Sequence, residues 1–323
     1  MKKFTLFLVF TMLSLVSCSN EQTFDDMIPQ AGDNIVMEAF TAKIDSLNNY
    51  YLEINNTNQT RGYVSDYTIG AAADAVGAFV GGKIFSWLGM ACGVVCSNPV
   101  VAYGGYFVGR RVGRAAGSAA ASIGAAWVID KFGTRTTTNS TLVLNENYVV
   151  LVNDPNNLTD GELHNLILAE LLKNINKYIL SDGCLNYDLL LDDAYMFENQ
   201  FAPIENFTSY KEQWIPLAVE QTKRIVNASE LLKYNSRDEF LNGVYNSLIP
   251  ELQISKDEFD DANLLNEKVL STYMVLDDVT LVEFSKEIDD VIESSELDVE
   301  LKSELKVSNS VLTNSSLIWR EVQ

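Results

Sequence analysis

Residues 105–125 read GYFVGRRVGRAAGSAAASIGA, and their small residues, Gly105, Gly109, Gly113, Gly117, Ala121 and Ala125, fall on every fourth position. Upstream, residues 77–93 read GAFVGGKIFSWLGMACG, in which Gly77, Gly81, Gly89 and Gly93 keep the same spacing and Phe85 fills the gap. Fourth-residue spacing puts such positions on one slowly drifting face of a helix. Between the two series stands Cys96-Ser97-Asn98-Pro99, and proline disfavours helix at the residue before it. The pattern predicts two helical arms folded as a hairpin, the second running from Val100 to Asp130.

Each interior glycine costs a helix about 1 kcal/mol relative to alanine, so the stripes need compensation. Glycine supplies it by letting two backbones approach closely, with dispersion and Cα–H···O contacts, as helices do in lipid. The 31 residues of the second arm would reach roughly 46 Å at 1.5 Å each, against a hydrocarbon core of about 30 Å. Charges qualify this picture. Arg110, Arg111 and Arg114 interrupt the second arm and Asp74 and Lys83 the first, and an arginine at the bilayer centre costs roughly 2.5–3.5 kcal/mol. A permanently resident span is therefore not expected. A hairpin stored in masked form that inserts conditionally, self-associating with its arginines towards a wet lumen, fits the charges; a small-residue hairpin buried in a water-soluble core is the alternative. The string GAFVGGK at 77–83 has the spacing of a phosphate-binding loop, but Ile84 follows where Mg²⁺ coordination needs Ser or Thr.

Charge separates the hairpin from its surroundings. The 323 residues carry a formal net charge of −21. Residues 1–60 contribute −4, residues 61–135 contribute +4 and residues 136–323 contribute −21. Of 18 glycines, 14 lie between Gly62 and Gly133. An anionic chain is repelled by phosphate backbones, which argues against nucleic acid as a partner. A single histidine leaves little room for a histidine-based metal site, and no cofactor is expected.

The start of the chain, MKKFTLFLVFTMLSLVSC, has two lysines, an apolar run and a cysteine, the layout of a removed export signal. Leu15-Val16-Ser17-Cys18 resembles a bacterial lipobox. The resemblance implies cleavage of residues 1–17 and lipidation of Cys18, hence a membrane tether. The acidic residues after Cys18 resemble surface-export signals of Gram-negative lipoproteins, which points to the outer membrane and the cell surface. Residues 18–61 then read as tether and linker, with an amphipathic stretch from Ile35 to Tyr51 and the polar run NNTNQTR.

Similar dipeptides bracket the glycine-rich module of residues 62–135. Thr60-Arg61 and Thr134-Arg135 both stand in polar, turn-prone sequence, where exposed backbone is readily nicked. A trypsin-like or clostripain-like protease acting after Arg61 and Arg135 would excise the module. Three further cysteines, Cys92, Cys96 and Cys184, remain, and export permits disulfides. A Cys92–Cys96 bridge inside a helix is strained. Cys184 is the better partner, Cys96 being favoured over Cys92 because it sits at the looser hairpin end; three buried thiols are the alternative.

Residues 136–323 read as an acidic, mostly helical domain. TLVLNENYVVLV at 141–152 predicts a small β-hairpin. Thr159 with Glu162, Ser236 with Glu239, Ser255 with Glu258 and Thr280 with Glu283 have capping-box spacing. His164 reads as a surface or capping histidine, and the acidic pairs Asp192-Asp193, Asp260-Asp261, Asp277-Asp278 and Asp289-Asp290 as solvated faces without the glycine of a calcium loop. No catalytic residues are assigned, since nucleophile, base and orienter cannot be assembled from the sequence, and an enzyme is not expected. The fold class is mainly α: a glycine-zipper helical hairpin plus an acidic α-helical domain with a small β-hairpin.

The whole arrangement resembles Gram-negative lipoprotein toxins activated by a clostripain-like protease and, more loosely, contact-dependent glycine-zipper bacteriocins. That resemblance implies an antibacterial, pore-forming toxin released by proteolytic processing. Its partners would be membrane lipid, the protease, a target-cell surface receptor and further copies joined through the zipper. Glycine stripes behind a lipobox also resemble the glycine-zipper structural lipoproteins of bacterial envelopes, which gives the alternative function.

Overall fold

The computed structural model describes residues 31–54, 70–82, 113–132, 158–201, 203, 207–225, 237–248 and 254–319. Its architecture is mainly α. The helices are α1 (Ala31–Ile54), α2 (70–82), α3 (Arg114–Phe132), α4 (Asp160–Lys173), α5 (Tyr187–Phe201), α6 (Phe207–Ile225), α7 (Arg237–Leu248), α8 (Lys256–Ala262), α9 (Leu264–Tyr273), α10 (Asp278–Ser294) and α11 (Val299–Ile318). No strand occurs among the described residues. An isolated antiparallel bridge joins Ile179 to Leu185 around Gly183, whose φ is 77°. The expected β-hairpin at 141–152 and the turn at 96–99 lie outside the described residues.

The chain divides into residues 1–39 and 40–323. Of the first unit, only the opening of α1 is described. In the second, the remainder of α1 buries Phe40, Ile44 and Tyr51. Tyr51 donates its hydroxyl to Glu287 at 3.0 Å and meets the Phe284 ring at a tilt, with centroids 4.7 Å apart.

Local chemistry explains the outer helices. α4 opens on a complete capping box: Thr159 Oγ1 accepts from the Glu162 N–H, and Glu162 Oε2 accepts from the Thr159 N–H at 2.8 Å. Ser255 accepts from the Glu258 N–H at the start of α8. The expected cap at Thr280 is corrected: α10 starts three residues earlier, with Asp277 accepting from the N–H groups of Val279 and Thr280. A carboxylate competes better than a hydroxyl for those donors, because the helix N-terminus is positive. Ser236 lies outside the described residues. α10 then buries Leu281, Phe284, Ile288 and Ile292, one stripe at helical spacing.

α2 and α3 differ from these helices, since every residue of 70–82 and of 113–126 is buried. α3 packs against α4, α5 and α6, and α4 also packs against α11, which rests on α8, α9 and α10. The glycine-rich helices therefore form the inside of the bundle, and helices of the acidic region form its wall. The second arm is not one helix through Gly113, as the sequence predicts. Gly113 has φ 84° and α3 begins after it, a left-handed conformation that glycine alone adopts freely.

Candidate functional site

The site is the seam between α2, α3 and the helices that cover them. Gly77 meets Gly117 and Ala121, whereas Gly81 meets Gly113 and Gly117, so the two helices run antiparallel. A Cβ built on Gly117 would stand 2.8 Å from the Gly77 carbonyl oxygen, and one on Gly81 would collide with the carbonyl oxygen of Gly113. Only bare backbone fits there. Four of the glycines singled out by spacing, Gly77, Gly81, Gly113 and Gly117, are thus brought together. Gly89, Gly93, Gly105 and Gly109 lie outside the described residues, as do Cys18, Arg61, Cys92, Cys96 and Arg135. Cys184 is exposed and unbridged, on the turn after the Gly183 bend.

Burying two such helices also buries their charges, and the covering helices answer each described one. Arg114 donates to Glu304 of α11 at 2.8 Å, with both side chains nearly inaccessible. The Gly113 N–H points at both carboxylate oxygens of Glu198 on α5, at 3.0 and 3.1 Å. Glu198 therefore satisfies the N-terminal end of α3 from another helix. Burial pushes its carboxyl up to about 8 despite these donors.

Asp74, at the middle of α2, is completely buried. Ser122 Oγ of α3 lies 2.5 Å from its Oδ1, and Trp319 donates its indole N–H to Oδ2 at 2.8 Å. Ser122 Oγ is also 3.0 Å from His164 Nε2 on α4, and the His164 ring nitrogen stands 3.9 Å from Asp74. His164 Nδ1 faces Asn165 Oδ1 at 2.8 Å, whose amide nitrogen donates to Asn314 of α11.

Counting hydrogens fixes the state of this knot. Asn165 Oδ1 is an acceptor, so Nδ1 of His164 carries its hydrogen and neutral His164 accepts at Nε2. Ser122 then has one hydrogen for two acceptors, His164 Nε2 and Asp74 Oδ1. One further proton satisfies both. Burial pushes Asp74 up to about 7 against its Ser122 and Trp319 partners. It pushes His164 down to about 4, so the extra proton belongs on Asp74. With that proton in place, below about pH 7, the chain runs from the Asp74 carboxyl through the Ser122 hydroxyl to the imidazole without net charge.

Serine beside histidine beside a carboxyl is also the grouping that hydrolases use. Here Ser122, His164 and Asp74 are all fully buried and satisfy one another. The expectation that His164 lies at the surface or at a cap is corrected: its ring is a buried strut between α3 and α4. Desolvation of an imidazole is tolerable because it is neutral and bonded at both nitrogens.

The sequence marks Asp74 and Arg114 as misplaced charges in apolar arms but not their partners. Trp319, Ser122, Glu198 and Glu304 carry no local signal, since their role comes from contacts with residues 85 to 245 positions away, or 48 for Ser122. The acidic pairs are partly structural: Asp193 binds Lys177 and Tyr178, Asp192 binds Lys211 and Asp289 accepts from Asn309. Among the described residues no cluster could hold a metal ion, and no helix is long and apolar enough to cross a membrane. The chain matches no protein-family model, no curated protein and no solved structure.

Proposed function

We propose that this chain is an antibacterial lipoprotein toxin in its stored state, whose glycine-zipper hairpin enters a target membrane after processing. The carrying observation is the burial of every residue of 70–82 and of 113–126, with the described charges Asp74 and Arg114 matched by Trp319 and Glu304. Enclosure keeps apolar arms from water until they are needed, and the matching groups on the acidic domain hold charges that would resist insertion. Lipidation at Cys18 tethers the producer's copy at the outer membrane and displays it on the cell surface. Clostripain-like or trypsin-like cleavage after Arg61 and Arg135 frees the module from chain constraint, a target-cell receptor brings it to lipid, and copies associate through the glycine faces. A disulfide from Cys184 to Cys96, or to Cys92, retains the cut module.

The alternative, a structural envelope lipoprotein that self-associates through its zipper, is less well supported. Gly77, Gly81, Gly113 and Gly117 already pair within one chain. Non-enzymatic action is part of the proposal.

The test is dye release from liposomes by purified mature protein, before and after cutting at arginine, with cutting confirmed on a reducing gel. Release is expected only from cut protein whose hairpin has been exposed. Cut protein whose hairpin is accessible yet releases no dye would overturn the proposal. Loss of envelope integrity without loss of competitor killing, on deletion of residues 62–135, would favour the structural alternative.

A further inference from the structure

We propose that Trp319, at the end of α11, is a latch that keeps α2 and α3 covered after the backbone has been cut, so that cleavage and exposure are separate steps. The proposal rests on the stored-hairpin reading above.

The indole sits in a notch made by α2. A Cβ on Gly70 would stand 2.6–2.7 Å from three atoms of the six-membered ring, so the ring occupies the space a side chain would need. Asp74, one turn further along the same face, takes the indole N–H at 2.8 Å. Trp319 is completely buried. Its backbone N–H bonds the Ser315 carbonyl oxygen, so the last turn of α11 carries the indole rigidly. Withdrawing that turn uncovers the first turn of α2 and takes a donor from a buried carboxyl.

Cutting at Arg61 and Arg135 severs none of this. Both arginines lie in sequence outside α2, α3 and residues 158–319. The bonds from Asp74 to Trp319, from Arg114 to Glu304 and from Gly113 to Glu198 are all non-covalent. The cut module therefore stays seated until those bonds break. Between its buried aliphatic residues, Leu305, Val311, Leu312, Leu317 and Ile318, the covering face of α11 is filled by serine, threonine and asparagine, which gain less from burial than leucine or isoleucine. The indole is the large apolar contact that closes such a cover over the start of α2.

Amide hydrogen exchange on the full mature chain, intact and cut, tests the latch. Wild-type fragments, reduced and cut after both arginines, are expected to elute together and to keep slow exchange in α2 and α3. Trp319→Ala should speed exchange in those two helices by roughly tenfold or more while α10 keeps its wild-type rate. Trp319→Phe, which retains a ring without the N–H, should fall between. Ile292→Ala, a core truncation in α10, should speed α10 at least as much as α2 and α3. Equal acceleration of α10 and the arms in both Trp319 variants would make the indole an ordinary core group and overturn the latch. Separation of wild-type fragments on cutting alone would also overturn it. Dye release from phosphatidylethanolamine–phosphatidylglycerol vesicles distinguishes the two readings. Exposed arms without release would overturn membrane insertion and leave the latch standing, whereas release that follows exposure supports both.

Discussion

Replacing Gly117 by alanine puts a methyl carbon 2.8 Å from the Gly77 carbonyl oxygen and 3.4 Å from Gly81 Cα. Ordinary contact starts at 3.4 Å, so α2 and α3 must part by about 0.6 Å, which forfeits a quarter or more of the dispersion energy along the seam. Overpacking of this kind costs roughly 1–3 kcal/mol, and alanine returns about 1 kcal/mol of helix propensity. The net expectation is destabilisation by up to about 2 kcal/mol. Gly81→Ala should cost more, because its methyl lands closer to a carbonyl oxygen, that of Gly113. Gly77→Ala, which meets Ala121 Cβ at 2.8 Å and the Gly117 oxygen at 2.9 Å, should resemble Gly117→Ala. Guanidinium unfolding of the full chain, followed by circular dichroism, gives all three values. The sign is decisive, since helices that do not touch would gain about 1 kcal/mol from each alanine. Stabilisation by any of these substitutions would refute the close backbone approach.

Other consequences follow from the buried polar groups. Asp74 and Glu198 are raised to about 7 and about 8, so their contribution to stability is full below the ordinary carboxyl range and is lost as pH rises through the raised values. His164, lowered to about 4, acts oppositely but only below its ordinary value near 6.5. Between about pH 6.5 and 8.5 the carboxyls alone act. The melting temperature should fall across that interval, and less steeply in Asp74→Asn; a flat or rising wild-type profile would contradict the assignment of the knot's proton to Asp74. Glu304→Ala strands the Arg114 guanidinium and should cost about 3–5 kcal/mol, most of it recovered by the double change Arg114→Met with Glu304→Leu; denaturant titration of the three variants checks this. Asp277→Ala removes the cap of α10 and should lower stability by about 1 kcal/mol in the same assay.

The glycine stripe was legible because a helix repeats its geometry. Fourth-residue spacing at Gly77, Gly81, Gly113 and Gly117 fixes which face carries no side chains, and a partner backbone is what such a face accepts. The caps at Thr159 and Ser255 were legible for a similar reason, since donor and acceptor lie within four residues. Thr280 misled because Asp277, three residues earlier, is the stronger acceptor, a choice that spacing alone does not rank. The break at Gly113 was hidden because its left-handed turn fits Glu198, 85 residues away.

Whether the stripe would face lipid or protein was beyond the sequence, because an all-round apolar helix reads the same in both settings. In the folded chain the stripe faces protein, because tertiary structure places α4, α5, α6 and α11 around α2 and α3. The knot of Asp74, Ser122, His164 and Trp319 belongs wholly to that level. Its members come from four helices, and a buried hydrogen bond leaves no periodic trace in the chain that makes it.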